Sequence, residues 1–177
     1  MEQKLAKPQW LKIKISTNDN FIDIKSTLKK HELHTVCESA HCPNISECWN
    51  GGTATFMLMG DVCTRGCKFC AVKTGNPMKK LDEDEPKKLA QAIAEIKLFD
   101  YIVLTSVNRD DLEDGGASHF AECIKEIKKA YPKIIVEVLI PDFKGDIEAL
   151  KKIVDANPEV IAHNIETVER LQRKVRD

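Results

Sequence analysis

The sequence has no apolar stretch approaching the roughly 20 residues that a membrane-spanning helix needs. Its first residues, MEQKLAKPQWLKIKI, have neither the apolar core of a secretory leader nor the Arg- and Ser-rich, acid-poor character of a transit peptide. Neither sign of charge is in excess: 27 Lys and Arg stand against 28 Asp and Glu, a net charge of −1. That balance argues against the basic footprint of a nucleic-acid binder and against an acidic disordered tail. The expectation is a cytoplasmic protein that meets neither membrane nor nucleic acid and acts on a small or protein-borne substrate. Also missing are the paired C-x2-C doublets of a zinc ribbon, although the chain has seven cysteines. In a reducing compartment clustered cysteines are metal ligands or catalytic groups rather than a disulfide framework. A chain of 177 residues with 42% hydrophobic content is long enough for one domain with its own core, or a domain plus an appendage.

The cysteines that are present fall into two trios and a spare. Cys37, Cys42 and Cys48 are spaced C-x4-C-x5-C in CESAHCPNISEC, and Cys63, Cys67 and Cys70 are spaced C-x3-C-x2-C in CTRGCKFC. Cys123 stands alone on the apolar stripe of a helix and reads as a buried small hydrophobe. A [4Fe-4S] cluster takes four thiolates, so three from one tight loop leave one iron without a protein ligand. Catalytic zinc keeps an open position for its substrate in the same way, but iron can also deliver an electron. Two other readings stay open. His31, His34 or His41 can complete a Cys3His zinc site with the first trio. For the second trio, a fourth ligand from elsewhere would leave a cluster that only transfers electrons or braces the fold.

Around the cysteines the chain alternates between strand-like and helix-like segments. TATFMLM (53–59), YIVLTSV (101–107), IIVEVLI (134–140) and EVIAHN (159–164) have the composition of buried parallel strands. Between them, Leu89, Ile93, Ile96 and Phe99 recur at helical spacing, with Pro86 in the first turn and Asp84 and Glu85 suited to the positive helix end. Phe120, Ile124 and Ile127 form a second stripe; Ile147, Leu150, Ile153 and Val154 form a third, behind an Asp146 cap. The predicted fold is α/β: a partial (β/α) TIM-type barrel of parallel strands over 53–177, preceded by a cysteine-rich extension over 1–52. Right-handed crossovers give a parallel sheet whose chemistry sits at the C-terminal strand ends.

Polar residues fall at those ends. Cys63 follows the first strand, Thr105 and Ser106 end the second, Pro141 and Asp142 the third, and His163 and Asn164 the fourth. Thr105 and Ser106 are as consistent with capping the next helix as with function. Asn164 and Glu166 lie two apart, so they can point into one pocket, or they can cap a helix starting at Thr167. Asp114 and Gly115 form a turn that opens a helix, where the backbone can approach a ligand. Arg109, Asp110 and Asp111 read equally as functional or as an exposed ion-pair cluster. His119 and His163 read as structural, and Trp10 and Trp49 as covering the cluster or packing the extension.

CTRGCKFC, following a short apolar segment and with Phe69 before its last cysteine, resembles the signature of the S-adenosylmethionine (SAM) radical enzymes. With KPQWLKIKI, the upstream trio, GDVCTRGCKFCAV, TSVNRDDLEDGGASHF, PDFKG and HNIETVERLQRKVR, the whole chain is similar to the lipoyl synthase family. The resemblance implies two [4Fe-4S] clusters and SAM as cofactors. Cys63, Cys67 and Cys70 would hold the cluster that reduces SAM to methionine and a 5′-deoxyadenosyl radical. Cys37, Cys42 and Cys48 would hold an auxiliary cluster that is sacrificed as the sulfur source. Thr105, Ser106, Asp114, Gly115, Asn164 and Glu166 would contact SAM or substrate, the loop at Asp114 meeting the methionine amino group. Sulfur would enter carbons 6 and 8 of an octanoyl chain on a carrier protein, either the glycine cleavage H protein or the lipoyl domain of a 2-oxoacid dehydrogenase E2. Ferredoxin or flavodoxin would supply electrons. Other radical SAM enzymes, such as methylthiotransferases and biotin synthase, and a noncatalytic metal-binding module are the alternatives. The family's proteins are longer, adding further barrel strands and a C-terminal serine that ligates the auxiliary cluster. A fragment with an open sheet edge is therefore expected.

Overall fold

The computed structural model describes residues 19–78 and 80–177; KPQWLKIKI and Trp10 lie outside the described residues. Helix α1 (Asp19–Lys30) leads into a two-residue strand β1 (His34–Thr35) and two short helices, α2 (Val36–Ser39) and α3 (Ile45–Asn50). Then come β2 (Thr53–Leu58), a small ladder of β3 (Val62–Cys63) and β4 (Lys73–Thr74), and α4 (Glu85–Ile96). The alternation continues with β5 (Tyr101–Ser106), α5 (Ala117–Ala130), β6 (Ile135–Leu139), α6 (Ile147–Asp155) and β7 (Val160–Ala162), before α7 (Gln172–Val175). Among the described residues no helix is long and apolar enough to cross a membrane.

The main sheet runs β1-β2-β5-β6-β7, with β1 antiparallel to β2 and every other pair parallel. Consecutive long strands are neighbours in one direction, so right-handed crossovers put α4, α5 and α6 on one face. This is the winding of a (β/α) barrel over part of its circumference. The strands alternate accordingly: Ala54, Phe56, Leu58, Ile102, Leu104, Val136 and Val138 are buried against the helices. The intervening Thr55, Met57, Thr105 and Leu139 line a cavity on the other face. The sequence's apolar runs thus belong to strands covered by helices on one side only.

The helix stripes of α4 and α5 are buried as their periodicity predicts, with Leu89, Ile93, Phe120, Ile124 and Ile127 at 0–1% exposure. Helix α4 stops at Ile96, where Lys97 turns left-handed, and Phe99 reaches the core from the loop to meet Phe56 edge-on at 5.9 Å. Asp146 caps α6 as expected, accepting from the Glu148 N–H at 2.9 Å. The α6 stripe differs from the expectation. Ile153 is buried with Ala149 and Ala156, whereas Ile147, Leu150 and Val154 are exposed. Helix α6 packs on α5, and among the described residues no helix covers its other flank, so only the i, i+4, i+7 row facing the sheet is buried. Replacing Ile153 by alanine should cost about 3 kcal/mol, read as a fall in the thermal midpoint. Trp49 is fully buried against Phe21, ring centroids 5.0 Å apart, and so packs the extension.

Candidate metal centre

Strand β2 delivers the chain to Val62–Cys63, which pairs with Lys73–Thr74; this ladder closes the base of the cysteine loop. Cys63 is buried, and its sulfur accepts N–H groups from Asn108 at 3.3 Å and Arg65 at 3.5 Å. The two donors fix the position of the sulfur at the mouth of the loop. Cys67 and Cys70 lie further out, joined by a bond from the Cys70 N–H to the Cys67 carbonyl at 3.1 Å. The Asp177 N–H donates to the Cys67 sulfur at 3.3 Å.

All three cysteines line one cavity of about 260 Å³ at the C-terminal ends of the parallel strands. Its walls include Thr105, Ser106, His163, Asn164 and Glu166, which the sequence placed at strand ends. The Thr105 hydroxyl donates to the Leu139 carbonyl at 2.9 Å, whereas the Ser106 Oγ is buried with no hydrogen-bond partner. An orphaned hydroxyl on a cavity wall is a polar group waiting for a ligand. No helix starts at Thr167; after a 3-10 turn at Glu169–Leu171 the helix begins at Gln172, which removes the capping reading of Asn164 and Glu166. His163 was read as structural, and its Nδ1 does bond the Ile140 carbonyl at 2.9 Å, yet the residue also lines the cavity.

Asp114 and Gly115 are not brought to this cavity. They line a neighbouring one of about 150 Å³. Asp114 accepts from the N–H groups of Gly116 and Ser118, opening α5, and pairs with Lys152 at 2.8 Å. Burial alone would raise its carboxyl, but Lys152 and Ser118 outweigh it and hold the group well below the usual carboxylate range.

The loop's strongest anchor is Arg65, a residue the sequence reading passed over. Its guanidinium forks onto two carboxylates: Asp110, after β5, at 2.8 and 2.9 Å, and Asp142, after β6, at 2.7 and 2.9 Å. Thr64 adds a hydroxyl bond to Asp110 at 2.9 Å. The Arg65 hydrogen bonds hold Asp142 down to about 2 and Asp110 lower still, despite partial burial. Of the two readings of Arg109–Asp111, the exposed ion-pair cluster holds only for Asp111, which is exposed and paired with Arg109. Arg109 is 4% exposed and bonds Asp111 at 2.7 Å, and Asp110 bonds Arg65 of the cysteine loop, so the β5 end turns Arg109 and Asp110 inward.

The first trio sits on α2, the turn after it, and α3. Partial burial, then the neighbouring thiols of Cys37 and Cys42, raise Cys48 above its ordinary value. His31 is committed to Glu95 at 3.2 Å, and His41 reaches the Ser39 carbonyl at 3.4 Å. One tetrahedral zinc with Zn–S bonds of about 2.3 Å would draw three sulfurs to about 3.8 Å of one another. Among the described residues, neither cysteine trio comes within 4.8 Å as a set; the one group of three donors that does is Glu85, His119 and Cys123. The wider spacing and soft thiolate donors fit a cluster whose irons each hold one cysteine better than a single zinc ion.

Residues 57–177 match the radical SAM superfamily, and residues 1–42 match the N-terminal domain of lipoyl synthase of that family. The chain belongs to the radical SAM superfamily. Within it, the chain is similar to lipoyl synthase of Halorubrum lacusprofundi, 60% identical over all of this chain and 57% of that protein. It is 58% identical to lipoyl synthase of Caldicellulosiruptor bescii over 97% of the chain and 58% of the relative, and 56% identical to that of Myxococcus xanthus over 100% and 59%. The chain thus spans under two thirds of the length of these relatives. The cavity brings together three cysteines, the Ser106 hydroxyl and polar groups from successive strand ends. Cys123, fully buried on α5 with its thiol pushed up by burial and then by Glu85, is outside this cavity. Cys123→Ala should leave iron and sulfide content unchanged.

Proposed function

We propose that this chain carries the radical-initiating and sulfur-donating sites of a lipoyl synthase, a sulfurtransferase that inserts two sulfur atoms at carbons 6 and 8 of a protein-bound octanoyl group. The observation that carries this reading is the pair of cysteine trios, one lining a strand-end cavity and the other on adjoining helices, in a chain 60% identical to a lipoyl synthase over its whole length. In the proposal residues 1–52 hold the auxiliary cluster through Cys37, Cys42 and Cys48, and residues 53–177 form the radical SAM unit. Cys63, Cys67 and Cys70 hold a [4Fe-4S] cluster with one open iron position. A reduced cluster held there would supply the electron for SAM cleavage, the source of a radical able to act on C–H bonds with no acidity a base could use.

The remaining roles belong to the chain's own side chains. Ser106, its hydroxyl orphaned on the wall, is the readiest donor or acceptor for the ligand. Asn164 and Glu166 offer a carbonyl, an amide and a carboxylate suited to ribose hydroxyls or an amino group. Thr55, Met57, Val107 and Leu139 give the floor its apolar part, which excludes water from a reactive intermediate. Asp114 and Gly115 would act from the adjoining cavity. The partner is an octanoylated carrier domain, such as the glycine cleavage H protein or an E2 lipoyl domain, and the reductant a ferredoxin or flavodoxin.

The test is anaerobic reconstitution followed by iron, sulfide and zinc analysis, with SAM cleavage assayed on the reduced sample. About eight irons per chain with 5′-deoxyadenosine release supports the reading. Zinc in place of iron, or iron without SAM cleavage, overturns the initiating role of this chain.

A further inference from the structure

Strand β2 ends abruptly. Met59, the next residue, adopts φ 69° and Gly60 follows at φ 94°, so two left-handed residues in succession turn the chain toward Val62–Cys63. A methionine does not take that conformation unaided. Its backbone N–H is held by the Glu85 carboxylate, at 3.0 and 3.2 Å to the two oxygens. Glu85 opens α4 and is 7% exposed, and one of the same oxygens bonds His119 Nε2, on α5, at 2.5 Å. The Met59 side chain is held as well. The Met59 sulfur packs against Gly116, where a Cβ would lie 2.2 Å from it and where φ of 88° favours glycine.

A carboxylate taken so far out of water needs full pairing, and here one partner is the turn that launches the cysteine loop and the other is a histidine on α5. The Cys123 sulfur lies with Glu85 and His119 within 4.8 Å, but the two already satisfy each other directly, leaving no gap for an ion between them. We propose that Glu85 and His119 form a latch between two helices and the end of β2 that fixes the direction in which the Cys63 loop leaves the sheet. They are positioning residues for the metal centre. The link to the metal centre rests on the proposed role of Cys63, Cys67 and Cys70 as cluster ligands, whereas the latch itself does not.

The experiment is amide hydrogen exchange on the cluster-free chain, followed by electron paramagnetic resonance of the reconstituted, reduced protein. Glu85→Ala and His119→Ala should speed exchange at Met59 through Cys63 by about tenfold, the worth of one charged hydrogen bond, and shift the resonance of the reduced cluster. His119→Gln, which keeps an N–H donor at similar reach, should restore both. Glu85→Gln retains an acceptor for Met59 and gives a folded intermediate case should the alanine variant fail to fold. Ile153→Ala, which loosens α6, should leave both signals alone. Wild-type exchange in the Glu85 variants overturns the latch, as does an equal response to Ile153→Ala. Stoichiometric zinc that Cys123→Ala abolishes also overturns it. If the wild-type chain takes up no iron, the functional reading falls, while the exchange result still decides the latch.

Discussion

Cys63→Ala should abolish SAM cleavage and lower reconstituted iron from about eight to about four atoms per chain. Cys63 is the buried member of its trio, the one whose sulfur receives two backbone N–H groups, so its loss removes the most firmly positioned sulfur of the proposed site. Cys67 and Cys70, more exposed, should give the same loss of cleavage with more residual iron, since solvent or exogenous thiol can reach their positions. Cys37→Ala should lower iron by a similar amount while 5′-deoxyadenosine is still released. Separating the two losses distinguishes an initiating cluster from a sulfur-donating one; loss of cleavage in both variants would mean one shared centre. Iron analysis and chromatography of the cleavage products read the outcome.

These variants probe the part of the site that local sequence makes visible. Cysteine spacing is local, and the long strands follow from apolar runs bounded by turns: the second was read as 101–107 and runs Tyr101–Ser106. Thr105, Ser106 and Asn164 stand at strand ends by the winding rule, Glu166 follows from its spacing and the family resemblance, and all four line the cavity. What escaped the reading is nonlocal. Nothing local marks Arg65, whose carboxylates are 45 and 77 residues away. Glu85 looked like a charge complementing its helix dipole, whereas it turns inward to a histidine 34 residues on. The available signal was charge at successive strand ends, Asp110 after one and Asp142 after the next, opposite an arginine in the loop after the first. The exposed row of α6 was misread because periodicity identifies an apolar stripe without saying whether a neighbour exists to cover it.

The Arg65 clamp carries the second large effect. Arg65→Ala removes the cation shared by Asp110 and Asp142, whose side chains are only 23% and 31% exposed, and leaves them only Lys144 and Arg176, each at 3.1 Å. Removing one partner of a partly buried pair should cost about 3 kcal/mol, a fall of about 10 °C in the thermal midpoint at this size. Lysine should recover less than half, because an ammonium has no planar fork to engage two carboxylates bidentately. The pH dependence fixes the mechanism. Asp142 is depressed to about 2 in the folded chain, against about 3.9 when unfolded, so its contribution is fully present above pH of about 4 and is lost as pH falls toward 2. Asp110, depressed further by the same arginine, moves in the same direction. The stability gap between wild type and Arg65→Ala should therefore be constant from neutral pH down to about 4 and narrow below it. A gap that is independent of pH would mean that Arg65 acts through packing of its stem rather than through the two carboxylates. The same clamp joins the loop between Cys63 and Cys67 to the ends of β5 and β6, so Arg65→Ala should also slow iron uptake by the second trio while leaving the first unaffected.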